Sequence, residues 1–431
     1  MGRAVPLAVL VALAACLPCG CGPSLESCPA PKTVSAWRAD PGPGGGTVAA
    51  GWASCAEAYG KCAEDASGDD GATLASRAEF CAGMAARAGG DDGEAEIHLA
   101  RAMAMDPGWA PPCDALGVMA LEDGDASTAV ALIEKAVSMD PEWPAALNDL
   151  GLALEATGDH EGAIARFDAA LAIDPLLATA HANKGGVLMT LGRFEEAVAS
   201  LLVAIDLEPE EPLHYYNLAG AMEKIGDWEM AAAAWFKLLD VLPADMTAAV
   251  HLRRGLALEQ AGIAGGAEEE YRAAIALAPT SVKACEALAW LLAETGRLDE
   301  AWEAFGRLGE IAPGIAAEDV FALGTTLVAD GRLGAAARAF GMAVELKPTW
   351  VEAWVDLGAV MARTGALDDA ASVLESGLEA APDPAIMSNL GSVYLGMQEP
   401  ARAADVLEAA AVAAPDVPET LLGYRIGVQY R

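Results

Sequence analysis

Cysteines, histidines and paired carboxylates are the side chains of this chain best suited to covalent or metal chemistry. There are nine cysteines and five histidines among 431 residues. Cys55, Cys62, Cys81 and Cys113 fall close together near the N-terminal end and could close two disulfides, with three pairings open. A zinc site would call for a Cys-x-x-Cys pair or a neighbouring histidine pair, and these four have neither. Cys285 stands alone and reads as a buried thiol. His98, His160, His181, His214 and His251 are scattered, and no His-Glu-x-x-His motif exists. Asp69-Asp70 and Asp91-Asp92 sit between glycines, but neither spacing fits a calcium loop, so they read as solvated turns. There is no phosphate-binding glycine loop with its lysine, no dinucleotide fingerprint and no Gly-x-Ser-x-Gly elbow. The expectation is a chain that is not an enzyme and takes no metal or cofactor.

Charge narrows the partners. The formal net charge is −37, from 63 acidic and 26 basic residues. Such a surface would repel a phosphate backbone, which excludes nucleic acid as a partner and favours cationic ones. Hydrophobic residues make up 54% and aromatics only 6%, so alanine and leucine dominate the apolar content. Small, strongly helix-forming residues suit closely packed helices.

The N-terminal residues point to export. Ala4 to Ala15 form an apolar run too short to span a bilayer but suited to a signal-peptide core. It ends Leu13-Ala14-Ala15-Cys16, which resembles the lipobox of bacterial lipoproteins. The resemblance implies a signal over 1–15, cleavage before Cys16 and acylation of that cysteine with fatty chains such as palmitate. Leu17 stands where those families carry a retention aspartate. An outer-membrane destination follows, facing the periplasm or the surface; an ordinary cleaved secretory signal is the other reading. Residues 16–50 are rich in proline and glycine and read as a linker, and residues 51–75 as an N-terminal cap helix.

What must position any functional side chain is a repeat. Prolines return at Pro107, Pro141, Pro175, Pro209, Pro243, Pro279, Pro313, Pro348, Pro382 and Pro415, at intervals of 34, 34, 34, 34, 36, 34, 35, 34 and 33. Twenty-four residues before each proline lies glycine or alanine, for example Gly117, Gly151 and Ala219. Twelve before it lies alanine in every unit, for example Ala129, Ala163 and Ala231. Gly124, Gly158, Gly192, Gly226, Gly262, Gly296, Gly331 and Gly365 fall mid-unit, where a left-handed residue can end a first helix. Asp125, Asp159 and Asp227 follow directly and can cap the second. The small residues let two helices cross closely. Trp109, Trp143 and Trp350, each two residues past a proline, are placed to pack at joints between units. The wider interval before Pro279 puts two extra residues near Ala244 to Thr247 and predicts a loosened or tilted joint.

These marks resemble the tetratricopeptide repeat. The resemblance implies an all-α chain: a right-handed α-solenoid of about ten helix-turn-helix repeats over 76–415, closed by a C-terminal cap or tail over 416–431. In that family first helices line a concave groove in which partners lie. Carried over by position, the groove would hold Asn183, Asn217 and Asn389, whose amides can read a peptide backbone or simply help the fold. It would also hold Tyr216, Leu252, Leu256, Trp290 and Phe321, flanked by Arg253, Lys283, Glu259 and Glu286. These resemble an interface core with a polar rim, or else pack between adjacent first helices. The family's carboxylate-clamp pattern is not reproduced. The implied function is a lipid-anchored scaffold binding a protein or peptide segment in the groove, in envelope or secretion assembly. The alternatives are an exported small-molecule or glycan binder and a non-catalytic accessory subunit of an envelope enzyme.

Overall fold

The structure is a computed structural model that describes residues 45–65 and 69–414. The signal sequence, Cys16, most of the linker, Pro415 and the 416–431 tail lie outside the described residues. The described residues are helical, with one 3-10 turn and no strand. The chain divides into two compact units at Leu242 and Pro243.

The first unit holds α1 (Gly45–Asp65) and five hairpins. These are α2 (Asp69–Ala88) with α3 (Asp92–Met105), α4 (Ala110–Glu122) with α5 (Ala126–Met139), and α6 (Pro144–Thr157) with α7 (His160–Ile173). They continue as α8 (Ala178–Thr190) with α9 (Phe194–Leu207) and α10 (Pro212–Ile225) with α11 (Trp228–Val241). The second unit opens on a 3-10 turn, Ala244–Met246, and holds five more. They are α12 (Ala248–Gln260) with α13 (Ala264–Leu277), α14 (Val282–Glu294) with α15 (Leu298–Ile311), and α16 (Pro313–Ala329) with α17 (Leu333–Leu346). The last two are α18 (Val351–Arg363) with α19 (Leu367–Ala380), and α20 (Pro384–Gly396) with α21 (Pro400–Ala413).

One packing device repeats in all ten hairpins. The second helix carries a large side chain sixteen residues after the small one, and it is buried in every case. The series runs Leu99, Ile133, Phe167, Leu201, Trp235, Tyr271, Phe305, Phe340, Leu374 and Leu407. In the eight hairpins whose small residue is glycine, the large side chain lies across that glycine. A Cβ added to Gly151 would sit 2.5 Å from the Phe167 ring, and one on Gly255 would sit 2.5 Å from the Tyr271 ring. The glycine is therefore a seat for a ring, and any larger residue would overpack it.

The turns follow the expected chemistry. Every mid-unit glycine takes positive φ, Gly158 at 87°, and the next residue's N–H closes back on the helix, Asp159 N to Leu154 O at 3.0 Å. Asp125, Asp159 and Asp227 then cap the second helices through Thr128, Gly162 and Met230 N–H groups at 3.0, 3.0 and 3.1 Å. In the last hairpin Gln398 occupies the glycine's place with φ 64°. A left-handed residue with a Cβ is strained by roughly 1 kcal/mol. Gln398→Gly is expected to stabilise α20–α21 by about that amount, read as roughly five-fold slower amide exchange there.

Three elements differ from the simple pattern. Helix α1 starts at Gly45, inside the stretch that reads as linker, because Trp52 and Tyr59 bury against α2 and draw the preceding turn into the helix. Pro313 does not lie in the turn between units: it is the first residue of α16, where its fixed φ suits a helix start and its missing N–H is not needed. The two residues gained before Pro279 fall at the 3-10 turn Ala244–Met246, at the boundary of the two units. The tryptophans take the joint positions. Trp109 lies edge-on to Phe80 at 5.0 Å, and Trp350 tilts against Phe321 at 4.4 Å.

Candidate functional site

Within each unit, first helices of several successive hairpins touch one another. Helix α4 meets α6, α6 meets α8 and α8 meets α10; in the second unit α12 meets α14 and α18 meets α20. Second helices approach one another less extensively. First helices thus form the inner side of each stack.

In the first unit this side is polar and partly sealed. Asn183 on α8 donates through Nδ2 to Asn148 Oδ1 on α6 at 2.9 Å, and Asn148 donates to Asp149 Oδ1 at 3.1 Å. Asn148 and Asp149 are buried, as is Asp114 on α4. Sequence reasoning singled out Asn183 but missed these three. Asp149 occupies the sixth place of its repeat, the place of Asn183 and Asn217, and Asp114 and Asn148 the fifth, also on the groove register; that register is the signal that could have found them. Tyr216 on α10 is 53% exposed, with its ring edge-on to Trp235 at 5.4 Å. Asn217 is half-buried beside it.

His214, also on α10, is buried, and its Nε2 lies 3.6 Å from Glu208 Oε2. Burial holds its pKa below the usual value, while Glu208 pulls the other way. Between that lowered value and about 6.5 the unfolded chain binds more protons, so stability falls as pH drops below about 6.5. Thermal unfolding of the natural chain is therefore expected to lose more between pH 7.5 and 5.5 than that of His214→Gln; equal losses would contradict this.

The second unit presents the more open face. Leu256 on α12 is 39% exposed, Arg253 and Lys283 are exposed, and Leu252 and Glu286 are half-buried. Glu259 is occupied within its hairpin, where it accepts the Tyr271 hydroxyl. Trp290 on α14 is edge-on to Phe305 of its own hairpin at 5.8 Å, and its indole N–H bonds the Asp319 carboxylate of α16. Phe321 lies between Phe340 at 5.3 Å and Trp350 at 4.4 Å, so it packs the joint as well as edging the inner side. Asn389 is held apart from these: its Nδ2 donates to Ala385 O of its own helix at 2.9 Å.

Three carboxylates carried by first helices share an electrostatic state. Burial pushes Asp319 above its usual range, the Trp290 N–H opposes this, and Glu286 and Glu318 add to it. Burial, then Glu352, raises Asp356 on α18. Burial raises Glu155 on α6, with His160 opposing. A cationic group arriving from outside would stabilise the ionised form of each.

Among the described residues no group of three or more His, Cys, Asp or Glu side chains is placed to hold a metal ion. Among them, too, no helix is long and apolar enough to cross a membrane. Cys55, Cys62, Cys81, Cys113 and Cys285 fall among the described residues, and all but Cys55 are buried.

Two models of the tetratricopeptide repeat match the chain, one over residues 115–178 and the other over 154–222 and 327–390. These stretches are tetratricopeptide repeats. The remaining hairpins keep the same register of small residue, large buried side chain and turn. A comparison with curated proteins finds no match. Among solved structures the chain is similar to PilW, described as a widely conserved type IV pilus biogenesis factor. Identity is 23%, over 50% of this chain and 98% of that one, with a TM-score of 0.43. It is similar to YrrB, described as a tetratricopeptide protein with an unusual peptide-binding site, at 20% identity over 42% and 93%, TM-score 0.39. It is also similar to pilF of Pseudomonas aeruginosa, at 23% identity over 47% and 91%, TM-score 0.38. Tetratricopeptide stacks are typically non-catalytic scaffolds and commonly bind protein or peptide partners. The matches identify no catalytic family.

Proposed function

We propose that this protein is a lipid-anchored interaction scaffold of the bacterial cell envelope, holding a basic, partly apolar partner segment against the first helices of its second unit. One observation carries the reading: first helices of this unit present exposed Leu256 on α12 and, on α14, Trp290 bonded to Asp319 of α16, whose carboxyl, like that of Asp356 on α18, is desolvated by burial. Apolar side chains of the partner cover this face, and its lysines or arginines supply charge to the carboxylates. The chain's net charge of −37 steers such a segment in. Acylation at Cys16 ties the scaffold to the membrane, and the glycine- and proline-rich stretch after it gives reach, which suits a place in envelope or secretion assembly.

Fluorescence anisotropy of the purified full chain against matched basic-apolar and acidic-apolar peptides tests the partner chemistry. The basic set is expected to bind, with affinity falling about ten-fold as salt rises through the range that screens surface charge. Equal binding of the acidic set would overturn the reading. The anchor is tested separately: Cys16→Ser is expected to move the protein out of the detergent phase and abolish fatty-acid labelling.

A further inference from the structure

Four cysteines at the N-terminal end allow three pairings by sequence, and the structure brings two of them together. Cys55 on α1 and Cys81 on α2 stand with sulfurs 3.0 Å apart. A disulfide bond is about 2.05 Å long, so roughly 1 Å of approach closes it. Cys62 and Cys113 line the same core. Cys113 is buried in α4, and that burial pushes its thiol up, with Lys135 opposing and Asp114 adding.

We propose that Cys55 and Cys81 are joined by a disulfide that staples α1 to the first hairpin. The pair is asymmetric in a useful way. Cys55 is partly exposed and can meet an oxidant, whereas Cys81 is 1% exposed and cannot. The hydrogen bond from Cys81 lowers the Cys55 thiol, against a smaller effect of burial, and so favours the attacking thiolate. The oxidant is a disulfide compound or a disulfide-bearing protein, which an exported chain meets. The Cys55 thiolate attacks one oxidant sulfur, forming a mixed disulfide and expelling a thiolate. The Cys81 thiolate then attacks Cys55 Sγ and expels the second. Each protein thiol gives up one proton and one electron, and the oxidant leaves as two thiols.

The staple has a structural purpose. Helix α1 is the outermost helix described at its end of the stack and is not part of a hairpin of its own; Trp52 and Tyr59 hold it to α2. Ends of repeat stacks open first. Closing the loop from Cys55 to Cys81 lowers the population of the opened end by on the order of a hundred-fold.

The test uses the full chain, oxidised with glutathione disulfide, alkylated, and digested with trypsin without reduction. Cleavage after Arg38, Lys61, Arg77, Arg87, Arg101 and Lys135 puts the four cysteines on four peptides, 39–61, 62–77, 78–87 and 102–135. The expected product is 39–61 linked to 78–87, two hydrogens lighter than the pair. A link from 39–61 to either of the other two, or full alkylation of all four, would overturn the proposal. Hydrogen exchange in α1 should slow on oxidation of the natural chain and stay unchanged in Cys55→Ser. That substitution lies at the partly exposed member and leaves the buried sulfur in place. Equal slowing in Cys55→Ser would likewise overturn it.

Discussion

Phe167→Ala is expected to destabilise the α6–α7 hairpin by about 3–5 kcal/mol. The ring is fully buried and rests on Gly151, which has no side chain that could move into the void. Surrounding residues Ala163, Ile164, Val187, Leu188 and Ala197 are small or already packed. Hydrogen exchange of α6 and α7 reports the loss, because a stack of repeats opens locally before it unfolds as a whole. The complementary variant sharpens the point. Gly151→Val alone should destabilise by about 1–3 kcal/mol through overpacking. Placed in the Phe167→Ala background it should recover part of the loss, since it then fills the space the ring vacated. Additive effects would show that the two positions do not form one contact.

Leu256→Glu is expected to reduce binding of a basic-apolar partner segment by at least ten-fold while leaving helicity unchanged. Leu256 is exposed on α12, so the substitution removes apolar contact area without opening the core. Trp290 and Phe321 are poorer probes of the same face. Their rings pack against Phe305, Phe340 and Trp350, and alanine there would disturb the hairpins as well as any bound partner. The Leu256 variant is measured by anisotropy beside circular dichroism. Unchanged affinity with intact helicity would place the partner elsewhere.

The fold was legible because its determinants are local. Gly158, Asp159, Ala163 and Phe167 lie within ten residues of one another, and each acts on its own hairpin. Much of the candidate site was not legible, because its character depends on contacts between hairpins. Register alone put Asn183 on the inner side, but only the neighbouring first helix shows that its amide is committed to Asn148. Phe321 reads in sequence as a groove residue, and the joint residue Trp350 decides that it is half a packing residue. Asp319 lies outside the usual groove register and gains its place only through Trp290 of the preceding hairpin. The start of α1 was missed for the same reason: Thr47 to Ala50 follow a glycine run, and it is burial of Trp52 that makes them helical.

Site-specific photo-crosslinking in cells tests the central claim most directly, that partners lie against first helices. A photoreactive residue is placed at Leu256 on α12, and in a second strain at Leu277 on α13 of the same hairpin. Both positions are exposed, at 39% and 50%. One discrete crosslinked partner is expected from position 256, lost on raising salt, and none from position 277. Crosslinking from 277 with none from 256 would contradict it.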